Sequence, residues 1–370
     1  MSNSIPKPTQ GFSASPASAQ QKYQLYPPNF WYRTVLQGLI VPELPPPLHY
    51  FNFRAVMGLD YLPIVQYPAP HSASAKECAV VMSSISAHMN GHFRQYNLAE
   101  HCYFNTAHYN YADHSALLGQ FPSFVLHRWD DELSVTLNIH TQTSQYTCYS
   151  RFWFDLFEFW SMPCWVEGSL YYKQQHYSIA HWGSFEYARS LHMPYVQPAF
   201  YCYQLIQLDQ QRQLICIQLR NRLNQVLLSK IFLRHIVAAF GQAQEQLVFQ
   251  KAVQLYIHRV YPKVATPNGQ WMYLAREFEW QATDSNYHIR VVGQSRGDYK
   301  FGAAAGYAGS FQYQVQLNDE YFSGEAAYCE YIDCRALNWQ EQDQEQRSPA
   351  KITATEALIY KNNAKNKFFT

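Results

Sequence analysis

Two glutamates carry the spacing most suggestive of chemistry. Tyr177 is followed nine residues later by Glu186-Tyr187, and Tyr321 nine residues later by Glu330-Tyr331, so the pattern recurs after 144 residues. In an extended strand successive side chains point to opposite faces. Trp182, Ser184, Glu186 and Ala188 therefore share one face, and His181, Phe185 and Tyr187 the other. The second copy sets Glu330 in line with Ala326, Tyr328 and Ile332. A carboxyl among apolar neighbours loses hydration, which raises its pKa and suits it to donate a proton near neutrality. Glu186 and Glu330 are thus the candidate catalytic residues. The competing reading is structural: a buried glutamate is commonly tied by hydrogen bonds or by an arginine, here Arg189 or Arg335 nearby in sequence. Recurrence in both copies favours two similar seams over two similar active sites.

Other constellations carry less. His88, His92, His101, His108 and His114 are dense, and His88-x-x-x-His92 has metal-ligand spacing on a helix. The segment reads as strand and loop, however, and no third ligand has a motif, so no metal is expected. GAAAGYAG (302–309) lacks the Lys-Ser/Thr of a phosphate loop and the spacing of a dinucleotide fingerprint, and no G-x-S-x-G elbow occurs. No cofactor is predicted. Cys78, Cys102, Cys148, Cys164, Cys202, Cys216, Cys329 and Cys334 include no C-x-x-C pair and read as small apolar core residues, with a Cys329–Cys334 disulfide as the lesser alternative. FWFDLFEFW (152–160) fits a strand with aromatics on both faces, or a helix with Arg151, Asp155 and Glu158 along one stripe.

These groups need a scaffold, and the composition supplies one. The 370 residues include 30 Tyr, 23 Phe and 9 Trp, while Asp, Glu, Lys and Arg make up 15%, against about 25% in average domains. The formal charge of +1 leaves no electrostatic footprint for nucleic acid. Residues 1–22, polar and rich in Ser, Pro and Gln without an apolar stretch, read as a disordered leader and not as a signal peptide. No 18-residue apolar run occurs, so no transmembrane helix is predicted and a cytoplasmic location is the expectation.

Along the chain, residues 23–78 hold most of the proline and are expected to form an extended segment that wraps or plugs something, since proline is denied helix interiors and central strands. Short β-branched and aromatic runs follow. Phe200–Leu208 and Gln213–Leu219 around Asp209-Gln210-Gln211-Arg212 predict one hairpin, and Trp271–Trp280 with Tyr287–Val292 a second. Lys230–Leu255 is ambiguous between helix and strand. A repeat of 144 residues is too long for a solenoid unit and matches one small antiparallel barrel. The expected organisation is a first barrel over 79–192, a second over 193–338, and a polar linker and tail over 339–370.

YSIAHWGSFEYAR (177–189), LIQLDQQRQLICIQLR (205–220), YPKVATPNGQWMYLAREFEW (261–280) and AGSFQYQVQLNDEYFSGEAAYCEYID (308–333) resemble the landmarks of the tandem lipocalin-like superfamily, which includes hydroxyneurosporene synthase (carotenoid hydratase) and tocopherol-cyclase-like proteins. The resemblance covers roughly residues 45–335 as pattern. It implies an all-β fold of two tandem lipocalin-like antiparallel barrels, each ending in a strand of the G-x-x-E-Y type, with apolar small molecules held within or between them. Gly183, Glu186, Tyr187, Ala188 and Arg189 match in the first barrel, and Gly324, Glu330 and Tyr331 in the second; Gln210-Gln211 replaces the usual turn glycine of the second-barrel hairpin.

The expected function is binding of an apolar or amphipathic small molecule, such as a lipid, fatty-acid derivative or isoprenoid, with Trp182, Tyr187, Tyr328 and Tyr331 as candidate lining residues. One alternative is a hydratase, cyclase or isomerase in which a neutral Glu186 or Glu330 protonates an isoprenoid alkene. That chemistry needs an unpaired Glu in an open pocket and is incompatible with one salt-bridged at a closed seam. The other alternative is an interaction protein whose barrels are filled by their own rings.

Overall fold

The computed structural model describes residues 23–58, 78–89, 92–143, 146–152, 157–191, 198–236, 246–266, 269–284, 286–303 and 306–335. The leader, the tail beyond 335 and residues 59–77 of the proline-rich stretch lie outside them.

Twelve strands build the first sheet: β1 (Thr34–Leu44), β2 (His49–Met57), β3 (Cys78–Ile85), β4 (Phe93–Asn97), β5 (Cys102–Asn105), β6 (His108–Tyr111), β7 (Ser115–Gln120), β8 (Ser123–Trp129), β9 (Leu133–Thr141), β10 (Thr147–Phe152), β11 (Phe157–Tyr172) and β12 (Gln175–Ser190). The second sheet has ten: β13 (Phe200–Gln207), β14 (Arg212–Arg220), β15 (Val226–His235), β16 (Leu247–Phe249), β17 (Gln254–Val260), β20 (Ala275–Thr283), β21 (His288–Ser295), β22 (Lys300–Ala303), β23 (Gly306–Leu317) and β24 (Glu320–Asp333). A small pair, β18 (Val264–Ala265) with β19 (Trp271–Met272), stands apart.

Both sheets are antiparallel meanders closed in the same way. The last strand returns to the first, β12 onto β1 and β24 onto β13. In each, the ladder is interrupted between strands consecutive in sequence: β4 and β5, joined by the helical turn Leu98–His101, and β16 and β17. These are the two tandem lipocalin-like barrels that the resemblance implies, neither ringed by an unbroken ladder. Each coils around its own apolar core.

Alternation forms these strands. β9, LSVTLNIHT, buries Leu133, Val135, Leu137, Ile139 and Thr141 and exposes the residues between them. The predicted β13–β14 hairpin is present, and so is β20–β21, though its first strand begins at Ala275 and Trp271–Met272 pairs with β18 instead; in the turn of the second, the Asp284 carboxylate accepts the backbone N–H groups of Asn286 and Tyr287. The Lys230–Leu255 region contains strands β15 and β16, with 237–245 outside the described residues. FWFDLFEFW is not one strand: Phe152 pairs with Phe157 across the β10–β11 ladder, and Arg151 meets Glu158 at 3.5 Å. All eight cysteines are free.

The proline-rich reading requires correction. Residues 23–78 are not one extended wrap, because β1 and β2 lie inside the first sheet. Pro42 sits where the β1–β2 register shifts, and Pro45, Pro46 and Pro47 form the turn between the strands. Proline at bulges and turns leaves the intervening residues free to pair. Among the described residues outside these strands, Leu25 is buried in the first core and Tyr23 stacks on Tyr146 at 5.4 Å, while Tyr26, Phe30 and Trp31 are exposed.

β2, β3, β13 and β14 are buried almost continuously, with no alternation. The reason is that both faces are covered. One face meets its own barrel core; the other carries Tyr50, Met82, Tyr203, Leu205, Ile215 and Ile217 into a third apolar cluster between the barrels, joined there by Ile40 of β1 and Tyr328 of β24.

Candidate functional site

The Glu-Tyr strands divide their side chains between two environments. Phe185 and Tyr187 enter the first core, and Cys329 and Tyr331 the second. Glu186 and Glu330 point the opposite way and meet in the seam between the barrels. Arg54 of β2 lies between them. Its partner in register is Gly38 of β1, whose other neighbour is Glu186, so arginine, glycine and glutamate form one line across three strands. With no side chain at Gly38, Arg54 reaches over it: Nη2 stands 2.6 Å from Glu186 Oε2, and Nε faces Glu330 Oε1.

Hydrogen bonds close the remaining valences. The Tyr203 hydroxyl donates to Glu186 Oε1, and the Tyr328 hydroxyl donates to Glu330 Oε1 at 2.9 Å while accepting from Asn52 Nδ2 at 3.0 Å. Tyr149 links Tyr203 to Ser161, which also accepts from Arg234 Nη1 at 2.9 Å. Arg54, Glu186 and Glu330 are 4%, 0% and 2% exposed. Burial pushes the Glu330 carboxyl up; Arg54 opposes this and the nearby Glu186 adds to it. Desolvation works against the charge on Arg54, but its two carboxylates hold its pKa well above the usual value. Neither arginine suggested by sequence proximity takes part. Arg189 pairs with Glu158 at 2.8 Å, and Arg335 with Asp333 at 2.6 Å.

The four candidate lining residues are not brought together. Tyr187 is in the first barrel, against Trp160 at 5.2 Å; Tyr331 is in the second, donating to Asp333; Tyr328 is in the seam. Trp182 is half-buried on the outer face, edge-on to Trp165. Much of the first interior is ring against ring: Phe124 stacks on Phe185 at 4.9 Å, and Phe121 bridges both to Trp160.

Beside this core is a small, partly open pocket lined by Val81, Ser83, His92, Arg94, His114, Ser115, Arg128 and Trp129. Strand alternation aims them here: Ser83 shares a face with the core residues Val81 and Ile85, Arg94 with Tyr96, and Arg128 with Leu126. Arg128 donates to Leu133 O and Asp130 Oδ2, both at 2.5 Å. Ser83 Oγ and His114 Nδ1 are buried there with no hydrogen-bond partner. Burial pushes the Tyr96 phenol up to about 12, against the pull of Arg94.

Residues 55–347 match the model of a family of unknown function, DUF6670. The chain belongs to the DUF6670 family. Among curated proteins none matches it. Its fold is similar to that of a protein from Nitrosomonas europaea described as AttH, at TM-score 0.55 and 11% identity, over 82% of this chain and 93% of that one. Kievitone hydratase from Nectria haematococca is similar at TM-score 0.50 and 10% identity, over 86% and 92% of the two chains. At such identities the likeness is one of fold. The DUF6670 match includes both seam glutamates and begins one residue after Arg54.

The histidines of this DUF6670 chain go separate ways. His88 Nε2 lies 3.2 Å from Asp130 Oδ2, His92 contacts the carbonyls of Met89 and Phe301, and His101 Nδ1 accepts the backbone N–H of Asn97. His108 packs edge-on to Tyr103. Among the described residues no group of three or more His, Cys, Asp or Glu could hold a metal, and no helix is long and apolar enough to cross a membrane.

Sequence reasoning also passed over Lys300, which ties the barrels together. Its ammonium donates to the Tyr50 hydroxyl at 3.1 Å and to Ser86 O at 2.8 Å. Desolvation lowers its pKa to about 8, despite the opposing pull of Asp298. Between pH 8 and 10 the unfolded lysine binds more protons than the folded one, so its contribution to stability rises with pH. Denaturant titration should show this rise, about 2 kcal/mol, as a difference between the protein and Lys300→Met. Buried thiols titrate in the opposite sense and cancel in that difference.

Proposed function

We propose that this protein binds a small apolar or amphipathic molecule at its first barrel. The observation that carries this reading is the pair of buried polar atoms without protein partners, Ser83 Oγ and His114 Nδ1, at a small, partly open pocket of the first barrel. Buried polar atoms are nearly always satisfied, and an orphan facing a cavity is a place for a ligand group or water to bind. Pockets for drug-sized ligands run to roughly 300–1,000 Å³, whereas the space here has room for about one water, so a ligand of that size enters only if the surrounding strands part.

One structural neighbour is a hydratase, kievitone hydratase, which brings a hydration reaction into view. Proton donation by Glu186 or Glu330 finds no support in the seam, where both carboxyls face Arg54 and are almost completely buried. Trp182, Tyr328 and Tyr331, which lie in other environments, are not part of the proposed site.

Native mass spectrometry of the full chain purified from its own host, followed by extraction, tests the reading. One equivalent of an apolar or amphipathic compound is expected. Recovery of none, together with no binding of a panel of fatty acids and isoprenoids, would remove it.

A further inference from the structure

We infer that one end of the second barrel docks onto an anionic lipid bilayer, placing Leu223 and Trp271 among the headgroups while Arg222 and Lys263 meet the lipid charge. This contact is separate from the ligand site proposed in the first barrel and does not depend on it.

Two segments form this end. One is the turn between β14 and β15, and the other is the loop bracketed by β18 and β19, with Lys263 just before β18 and Trp271 opening β19. Both are tied to the residues that end the second sheet. Arg335 Nη1 donates to Asn224 Oδ1 at 3.4 Å, and Asp333 O accepts the backbone N–H of Tyr273 at 3.0 Å. Burial pushes the Cys334 thiol up to about 11 and Asp333 adds to it, whereas Arg222 and Lys263 both pull it down, so the two cations stand within electrostatic range of one residue.

The β14–β15 turn holds its apolar residues outward. Asn221 Oδ1 accepts the backbone N–H groups of Leu223 and Gln225 at 3.0 and 2.9 Å. Asn224, at a φ of 58°, gives its side-chain oxygen to the buried Arg220, at 3.2 Å, as well as to Arg335. The asparagines are thus engaged in fixing the loop, and Leu223 is left 71% exposed, followed by Val226 and Leu227 at 52% and 50%. Water-facing turns ordinarily present polar side chains. Trp271 is 55% exposed, with the Lys263 ammonium 5.8 Å from its ring centroid. An indole, apolar in body and polar at its N–H, suits the boundary between lipid and water.

Charge selects the occupant. Arg222 and Lys263 are exposed, and neither has a carboxylate partner among the described residues, while Asp333 is already held by Arg335 at 2.6 Å. A second copy of the chain docked through the same patch about a two-fold axis would set these cations against their own images. Nucleic acid would meet the cations and leave the apolar side chains unused. An anionic bilayer answers both parts, since its surface attracts the cations and its headgroup boundary buries the apolar side chains.

Co-sedimentation of the full chain with vesicles tests this, comparing phosphatidylcholine alone with phosphatidylcholine containing about a third phosphatidylserine. Sedimentation with the anionic vesicles only is expected, weakening as salt is raised. Leu223→Ser combined with Trp271→Ser should lower the partition coefficient about ten-fold, and so should Arg222→Gln combined with Lys263→Gln, with melting curves reporting that both variants are folded. Tyr321→Ser, exposed at the opposite end of β24 from Asp333, should leave it unchanged. No sedimentation with anionic vesicles would overturn the inference, as would equal sedimentation with both vesicle types, undiminished binding by either double variant, or an equal loss in Tyr321→Ser. A dimer in solution that Leu223→Ser dissolves would assign the patch to a second copy and overturn it too. Should a double variant fail to fold, its two single variants take its place.

Discussion

Arg54→Met is expected to destabilise the protein by about 3–5 kcal/mol, the usual cost of removing one partner from a buried ion pair. Here it strands two carboxyls, because Glu186 and Glu330 share this one guanidinium in the seam. Replacing the other side of the network should behave differently. Glu330→Gln keeps an acceptor for the Tyr328 hydroxyl and removes one of two like charges, so a change within about 1 kcal/mol is expected. The pH dependence separates them further. The folded pKa of Glu330 is raised, so above the ordinary glutamate range the folded state holds a proton that the unfolded chain has lost. Its contribution is full at low pH and falls as pH rises through that window. Denaturant midpoints across pH 4–7 should lose this component in Glu330→Gln. An Arg54→Met variant as stable as the parent would show that the triad does not hold the barrels together.

Asp130→Asn should cost a similar amount, about 3–5 kcal/mol, by leaving Arg128 buried without its carboxylate. Burial alone would raise the Asp130 carboxyl, but His88 and Arg128 overcome it and hold the group well below the usual range. The sign is therefore opposite to that of Glu330. With a depressed folded pKa, its stabilisation is present above the unfolded value near 4 and is lost as pH falls below it. Denaturant titrations at pH 7 and pH 3 should show a large gap between protein and variant at the first pH and a smaller one at the second. A gap that does not shrink would mean that Asp130 acts through shape and hydrogen bonding alone.

The split in sign between these two acids was not readable from their neighbours in sequence. Asp130 stands two residues from Arg128 on the same strand end, so its pairing is nearly local. Glu186 is 132 residues from Arg54. The only sequence signal for that partner was a lone charge inside the apolar run YFNFRAVM, which the proline-rich appearance of its surroundings obscured. His88 and His92 were visible as a pair at metal spacing; on a loop and strand edge they turn instead to Asp130 and to two carbonyls.

What the sequence determined by itself is what depends on a two-residue period: strands, hairpins, the return of a Glu-Tyr strand after 144 residues, and the rule that Glu and its following Tyr face opposite ways. Tertiary structure decided which way was in. The tyrosines entered the barrel cores and the glutamates the seam, because a second sheet covers the outer face of the first, and a strand pattern specifies its two faces without saying what will cover either. The pocket is of the same kind. Ser83, Arg94, His114 and Arg128 come from three strands and a turn, each unremarkable in its own segment. They meet only where curvature of the sheet brings the three strands and the turn together.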